Sequence, residues 1–545
     1  MGFRRILILT LSWFVVRPST ASEGIPVGSE LVRTACGACH ESDDQGRMSR
    51  ISYLRKTPEG WQLTLKRMMR TAKLDLSPEQ ARGIVRYLAD HHGLAPEEAR
   101  PYFYAAENRP KLENIEDEEI RDTCVRCHLG ARFLTQRRTK EEWELLKGMH
   151  IGYFPLIEFQ TFRAASPLAG DSPSEGGENG TGWRADRVLD KLAKTYPLET
   201  PEWKRFAAKR SKRTLEGRWL LRTHQPGRGP ASGVVSMVLQ GEDYVYEGDI
   251  VLADGSRRRR EGKGVLYAGY TWRGTSHGEG LGELREVLML SEDGSKLAGR
   301  FFEGTFGELG LDVSLERLGG DPRIAAVWPR SAKAGAGAIT VRILGANLEG
   351  VSMNELDLGQ GIRVARILTS SPEVLTVELD VTPEALPGYR NAVLGTSAAV
   401  DAFAVYDSVD YVKVVPEEAL ARVGGVNVPK QYAKFEAVAY HRGADDEPLT
   451  ADDVNLGTVP AAWTLEEYYI RHDDDDIDFV GTIDQDGFFT PNQEGPNSGR
   501  ELNADNFGDV WVVASYTPPG SEEALRGRSR LVVTIPLYLY WDLFP

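Results

Sequence analysis

RTACGACHES (residues 33–42) and TCVRCHLGAR (residues 123–132) hold all four cysteines of the chain, Cys36, Cys39, Cys124 and Cys127. Each pair is followed at once by a histidine, His40 or His128. Three chemistries use cysteines at this spacing. A zinc site of two Cys pairs usually separates them by about 15–20 residues, whereas here the first pair ends at 39 and the second begins at 124. Zinc also leaves the two histidines without a reason. A redox dithiol needs a low-pKa thiolate on a βαβ scaffold, and the flanks here read as helices. Covalent haem c accounts for every residue. Each cysteine adds to a vinyl group, and the adjacent histidine supplies an axial nitrogen to iron. The sequence therefore predicts two haems c, bound by Cys36, Cys39 and His40, and by Cys124, Cys127 and His128.

Working outward, the segments downstream of the two motifs repeat. RKTPEGWQLTLKRMM (55–69) and RRTKEEWELLKGMH (137–150) share a basic pair, a threonine and, four residues later, a tryptophan. Thr57 reads as an N-cap with Pro58 in the first turn. Thr139 and Glu142 read as a capping box. Met68 and His150 each stand seven residues after their tryptophan, Trp61 or Trp143. Seven residues is close to two turns, so each tryptophan shares a face with its candidate ligand. The expected iron ligands are His40 with Met68 (Met69 in reserve), and His128 with His150; Trp61 and Trp143 pack on the haems. Between the motifs, LSPEQARGIVRYLADHHG (76–93) has Ser77 and Gln80 as a capping box and Ile84, Val85 and Leu88 as an apolar stripe. His91 and His92 read as exposed helix-end cations, with iron ligation as a reserve role. A methionine ligand raises a haem's potential and a second histidine leaves it lower. Electrons would then run from the second haem to the first, and two six-coordinate irons make a wire rather than a catalyst.

The chain opens with MGFRRILILTLSWFVVRPSTAS, which reads as a secretory signal peptide cleaved after Ala21. Its apolar run is too short to span about 30 Å of hydrocarbon, and no later stretch is long and apolar enough. An exported protein without membrane insertion is expected. The balance of 65 basic against 80 acidic residues, −15, offers no basic footprint for nucleic acid.

After the haem region, the Gly/Ser/Pro-rich stretch 165–182 reads as a flexible loop, and 184–212 as two short helices cut by Pro197. From 217 the hydrophobic period becomes two. Asp254–Gly255 and Asp293–Gly294 mark hairpins, which suggests a small antiparallel barrel. The ITVRILGANL stretch (339–348) resembles the opening of immunoglobulin-like IPT/TIG modules, and the strands after 416 suggest a second sandwich. The predicted fold is multidomain, an all-α di-haem cytochrome c domain followed by three all-β domains: one small antiparallel barrel and two immunoglobulin-like sandwiches. The boundaries are 1–21 (signal peptide), 22–213 (cytochrome), 214–320 (barrel), 321–415 and 416–545 (sandwiches). The runs Arg257–Arg260 and Asp473–Asp476 read as solvated charge. His224, His277, His441 and His472 stand apart, and no G-x-S-x-G, H-E-x-x-H or Walker loop occurs, so no catalytic residue is expected.

The whole pattern resembles the alpha subunit of quinohaemoprotein amine dehydrogenase. Its most specific pieces are YLRKTPEGWQLTLKRMMR (53–70), TCVRCHLGAR and VLYAGYTWRG (265–274); the stretch 169–182 looks like an insertion. The resemblance implies a periplasmic heterotrimer of alpha, beta and gamma subunits. The gamma subunit would carry cysteine tryptophylquinone, which oxidises primary amines to aldehyde and ammonia. The two haems c of this chain would pass the electrons to a small copper protein or soluble cytochrome c. All four cysteines here are already used by haem, so the quinone cannot form on this chain. Two other readings stand beside this one: a di-haem c-type peroxidase, which needs an open axial site, and a cell-surface binding protein with a cytochrome domain.

Overall fold

The structure, a computed structural model, describes residues 24–109, 111, 113–163, 183–209, 213–278, 281–303, 309–425, 428–469 and 475–535. The expected signal segment 1–21, the stretch 165–182, His472, Asp473 and Asp474 lie outside the described residues.

The N-terminal domain is helical and internally duplicated. Helix α1 (Glu30–Cys36) starts where the Ser29 side chain accepts from the Val32 N–H. A short strand β1 (Leu54–Lys56) leads into α2 (Pro58–Thr71), where Thr57 accepts from the Gly60 N–H and Pro58 opens the first turn. Helix α3 (Pro78–His91) begins with the complete Ser77/Gln80 capping box. The second half repeats this order with α4 (Glu118–Cys124), β2 (Gln136–Arg138) and α5 (Lys140–Tyr153). Helices α6 (Arg184–Thr195) and α7 (Pro201–Ala208) lie on either side of Pro197. Thr139 caps α5 by accepting from the Glu142 N–H. The expected return bond of Glu142 does not form, because its carboxylate turns to Arg50, 2.9 Å away.

Strands β1 and β2 pair antiparallel, with Arg55 opposite Arg137. The two copies of the basic motif therefore bond to one another across an approximate two-fold. Each half keeps its own apolar cluster. One holds Val32, Met48, Trp61, Leu65, Ile84 and Leu88, the other Ile120, Phe133, Trp143, Val188 and Leu192. Burying one such aliphatic side chain stabilises by roughly 1.5–3 kcal/mol.

Eight antiparallel strands form a closed barrel, β3 (Gly217–Gln225), β4 (Gly229–Gln240), β5 (Asp243–Leu252), β6 (Arg257–Tyr267), β7 (Thr271–Gly278), β8 (Leu281–Leu290), β9 (Lys296–Glu303) and β10 (Gly310–Arg317), with β10 closing on β3. The hairpin glycines Gly255 and Gly294 take φ of +88° and +72°, which only glycine adopts readily. The helical domain is seated on the barrel. Leu94 and Ala99 join its apolar core, Tyr270 donates to the Leu94 carbonyl at 3.1 Å, and the Ala268 N–H donates to Asp90.

Next comes a pair of four-stranded sheets around Val341, Ile343, Val377 and Phe403. The last unit packs its sheets around Phe435, Trp463, Phe489 and Val512. Both charged runs are only partly solvated. Arg257, Arg258 and Arg259 are exposed, but strand alternation turns Arg260 inward, where it donates to Ser276 Oγ at 3.1 Å. Asp476 is buried, held by Arg500 at 2.6 Å and by the Asp509 N–H at 2.9 Å.

Candidate haem sites

Each CxxCH motif sits at the end of a helix. Helix α1 ends on Cys36 and α4 ends on Cys124. In the first motif the chain turns back, so the Cys39 and His40 N–H groups both donate to the Cys36 carbonyl, at 3.2 and 3.0 Å. All four thiols are free, with Cys39 and Cys127 exposed and Cys36 and Cys124 half-buried. Burial pushes the Cys36 thiol up, with the Cys39 charge adding to it, and pushes Cys124 up to about 12. A redox dithiol needs the opposite shift. For Cys36 and Cys124 the shift disfavours the thiolate.

The histidines are oriented for ligation. His40 Nδ1 lies 2.9 Å from the Ser49 carbonyl, His128 Nδ1 2.9 Å from the Leu129 carbonyl, and His150 Nδ1 2.8 Å from the Leu146 carbonyl. A carbonyl can only accept, so Nδ1 carries the proton and the lone pair falls on Nε2. This is how metal-ligating imidazoles are held in position. Burial lowers the pKa of His150; the bond to Leu146 opposes this, while His128, Arg132 and Arg67 add to it. These influences favour the neutral imidazole, the form that ligates a metal. The ring of Phe133 meets His128 edge-on at 6.4 Å, and Phe162 meets His150 at 6.3 Å.

Trp61 and Trp143 are both buried, on α2 and α5. Trp61 Nε1 donates to the His92 carbonyl at 3.0 Å. Met68 and Met69 occupy the last turn of α2, both half-buried. Met69, like Cys36, packs against the first apolar cluster. His92 was expected to be an exposed cation. It is fully buried, edge-on to Trp61 at 6.2 Å, because the chain turns inward after α3 to reach the barrel.

Glu98, which lies outside both motifs, helps lock the two halves together. Arg55 grips it bidentately at 2.7 and 2.9 Å, and Arg137 donates to it at 3.0 Å. Thr200 and the Ala95 N–H each add a bond of 2.8 Å. Arg55 stacks over Trp203 and Arg137 over Tyr196, with guanidinium-to-ring distances of 4.8 and 4.9 Å. A symmetric pair of arginines in the sequence was the available signal; their common carboxylate lies outside both repeats. Two free thiols beside a histidine with its lone pair on Nε2 fit a covalently held haem at each motif. Among the described residues no cluster of His, Cys, Asp and Glu suits another metal ion. None of their helices is long and apolar enough to cross a membrane.

Comparison with known families covers nearly the whole chain. Residues 26–171 match the family described as quinohemoprotein amine dehydrogenase A, alpha subunit, haem binding. Residues 212–318, 321–407 and 412–543 match domains II, III and IV of that alpha subunit. No curated protein matches the chain. Solved structures with a partial likeness include a de novo designed fluorescence-activating β-barrel, 15% identical over 20% of this chain and 98% of that chain, with a TM-score of 0.17. Another is protocadherin gamma C5 EC1-3, 13% identical over 44% of this chain and 76% of that one, with a TM-score of 0.15.

Proposed function

Because the chain belongs to the quinohemoprotein amine dehydrogenase alpha-subunit family, we propose that it is the di-haem electron-transfer subunit of a periplasmic amine dehydrogenase. Haem c supplies a one-electron carrier when bound. Cys36 and Cys39 hold the first covalently and Cys124 and Cys127 the second, with His40 and His128 as proximal ligands. On helical register Met68, with Met69 its competitor, would be a further ligand to the first haem, and His150 to the second.

The observation that carries this reading is the orientation of His40, His128 and His150, each tied by Nδ1 to a backbone carbonyl and leaving Nε2 for iron. The Glu98 clamp keeps the two halves at a fixed spacing, which electron transfer between two centres requires. If His40 with Met68 and His128 with His150 held the irons, neither would keep an open position, which disfavours the peroxidase alternative. Primary amine oxidation to aldehyde and ammonia takes place on cysteine tryptophylquinone carried by the gamma subunit. The β domains, two of them immunoglobulin-like sandwiches, serve as scaffold for the beta and gamma subunits. A small copper protein or a soluble cytochrome c accepts the electrons. Export depends on the signal peptide at residues 1–21.

Purification from the native source, with haem and quinone staining of the separated subunits, tests the proposal. Haem stain on this chain and quinone stain on a small partner support it. A chain that purifies alone contradicts it, and rapid carbon monoxide binding to the reduced protein at neutral pH would favour the peroxidase.

A further inference from the structure

The seam between the two cytochrome halves holds more buried positive charge than its protein partners balance. Lys56 and Arg138, at equivalent places in the two repeats, are both buried. Lys56 lies over the Trp61 ring at 5.5 Å and donates to Thr64 Oγ1 at 2.7 Å. Arg138 lies over the Trp143 ring at 5.4 Å. Arg67 reaches across from α2 to α5, its Nη1 3.2 Å from the Met149 sulfur. Arg50 stands at the rim. The carboxylate facing this group is Glu142, 2.9 Å from Arg50 and 3.6 Å from Arg138. Burial drives the Lys56 pKa well down, Arg138, Arg67 and Arg50 push the same way, and Glu142 opposes them. Arg138 is held down to about 10, by burial first, with Glu142 again opposing Arg50 and Arg67. Among the described residues, four cations gather around Glu142, an expensive arrangement unless further anions sit there.

A second observation points the same way. Trp143 is 0% exposed and its indole Nε1–H finds no hydrogen-bond acceptor among the described residues, whereas the equivalent Trp61 N–H is satisfied. A buried donor without an acceptor costs about 1–3 kcal/mol. The group also borders candidate ligands of both sites, and the Arg67 charge reaches His150. Arg67 directly precedes Met68, and Met149 directly precedes His150.

We propose that Lys56, Arg67 and Arg138, with Arg50 at the rim, form one shared counter-charge for the propionate carboxylates of both haems, and that Trp143 Nε1 donates to a propionate of the second. This rests on the two-haem reading above. Reduction of an iron adds one negative charge, so cations held near both sites favour the reduced state of each. One cluster then sets both potentials together.

Potentiometric titration of the assembled enzyme, followed in the visible bands of each haem, tests this. Arg67→Gln should lower both midpoint potentials, by about tenfold in each reduction equilibrium (59 mV for a one-electron couple). Arg67→Lys should restore most of the shift. Trp143→Phe should lower the second potential alone. Arg86→Gln, on the exposed face of α3 against Glu242, should change neither. Lys56→Gln repeats the test if the Arg67 variant fails to load haem. Unchanged potentials, or a shift confined to one haem in Arg67→Gln, overturn the shared cluster. An unmoved second potential in Trp143→Phe overturns that bond. Potentials that follow phosphate or chloride concentration at fixed ionic strength would assign the cluster to a soluble anion instead. Failure of the two-haem reading is separable, because the wild-type protein would then lack a two-haem haemochrome spectrum before any titration.

Discussion

Glu98→Ala removes the carboxylate that Arg55 and Arg137 of the two cytochrome halves share. The side chain is 6% exposed and Arg55 is 0% exposed. The substitution leaves two buried guanidiniums without their counter-charge and frees the Thr200 hydroxyl and Ala95 N–H. Removing one partner of a buried pair costs about 3–5 kcal/mol. Counting separately, the Arg55 and Arg137 contacts at roughly 1.5–3 kcal/mol each give about 3–6 kcal/mol, which overlaps that range. At about 2–4 °C per kcal/mol for a domain of this size, the melting transition of the helical domain should fall by about 6–20 °C. Soret circular dichroism during heating reads that domain alone, which matters in a multidomain chain. The pH dependence adds a second check. Burial raises the Glu98 pKa, but the Arg55 and Arg137 contacts outweigh it and leave the carboxyl below its ordinary 4.5. A lowered folded-state value means the stabilisation is complete above the ordinary value and is lost as pH falls through the folded one. The deficit of the variant should therefore be constant near neutrality and shrink in acid. A loss under about 1 kcal/mol, or a deficit that persists unchanged into acid, would refute the clamp.

Three further outcomes are expected. Met68→Ala should abolish the methionine-to-iron charge-transfer band of the oxidised protein and lower one haem potential; the same result from Met69→Ala instead would move the ligand by one residue. His150→Ala should convert one haem to a high-spin spectrum, and an unchanged spectrum would remove His150 from the iron. In the barrel, Gly248→Ala would set a Cβ 2.2 Å from the Val234 carbonyl oxygen. That overlap should cost about 1–3 kcal/mol in denaturant unfolding of the barrel, and a neutral result would contradict the β4–β5 register.

Local signals in the sequence proved sufficient wherever the structure answers to local chemistry. Thr57 with Pro58 and Ser77 with Gln80 start helices where their cap chemistry places them, and the Asp-Gly pairs at 254 and 293 turn hairpins of the barrel. What stayed hidden depends on partners distant in sequence. Glu142 was read as a cap residue, yet Arg50, 92 positions away, takes its carboxylate. The burial of His92 has no local signal, because nothing local shows that the chain after α3 plugs into the barrel. Glu98 belongs to neither repeat, so aligning the repeats could show Arg55 and Arg137 as equivalents without showing what they hold. Arg260 continues a charged run, but strand alternation, not composition, decides which member of the run faces inward.

The central claim is that this chain carries two covalent haems and no quinone. Intact mass measurement of the isolated native subunit tests it most directly. The account predicts a chain beginning after Ala21 with a mass excess of two haems, lost from Cys36, Cys39, Cys124 and Cys127 peptides on thioether cleavage. One haem, none, or a quinone modification on this chain would contradict it.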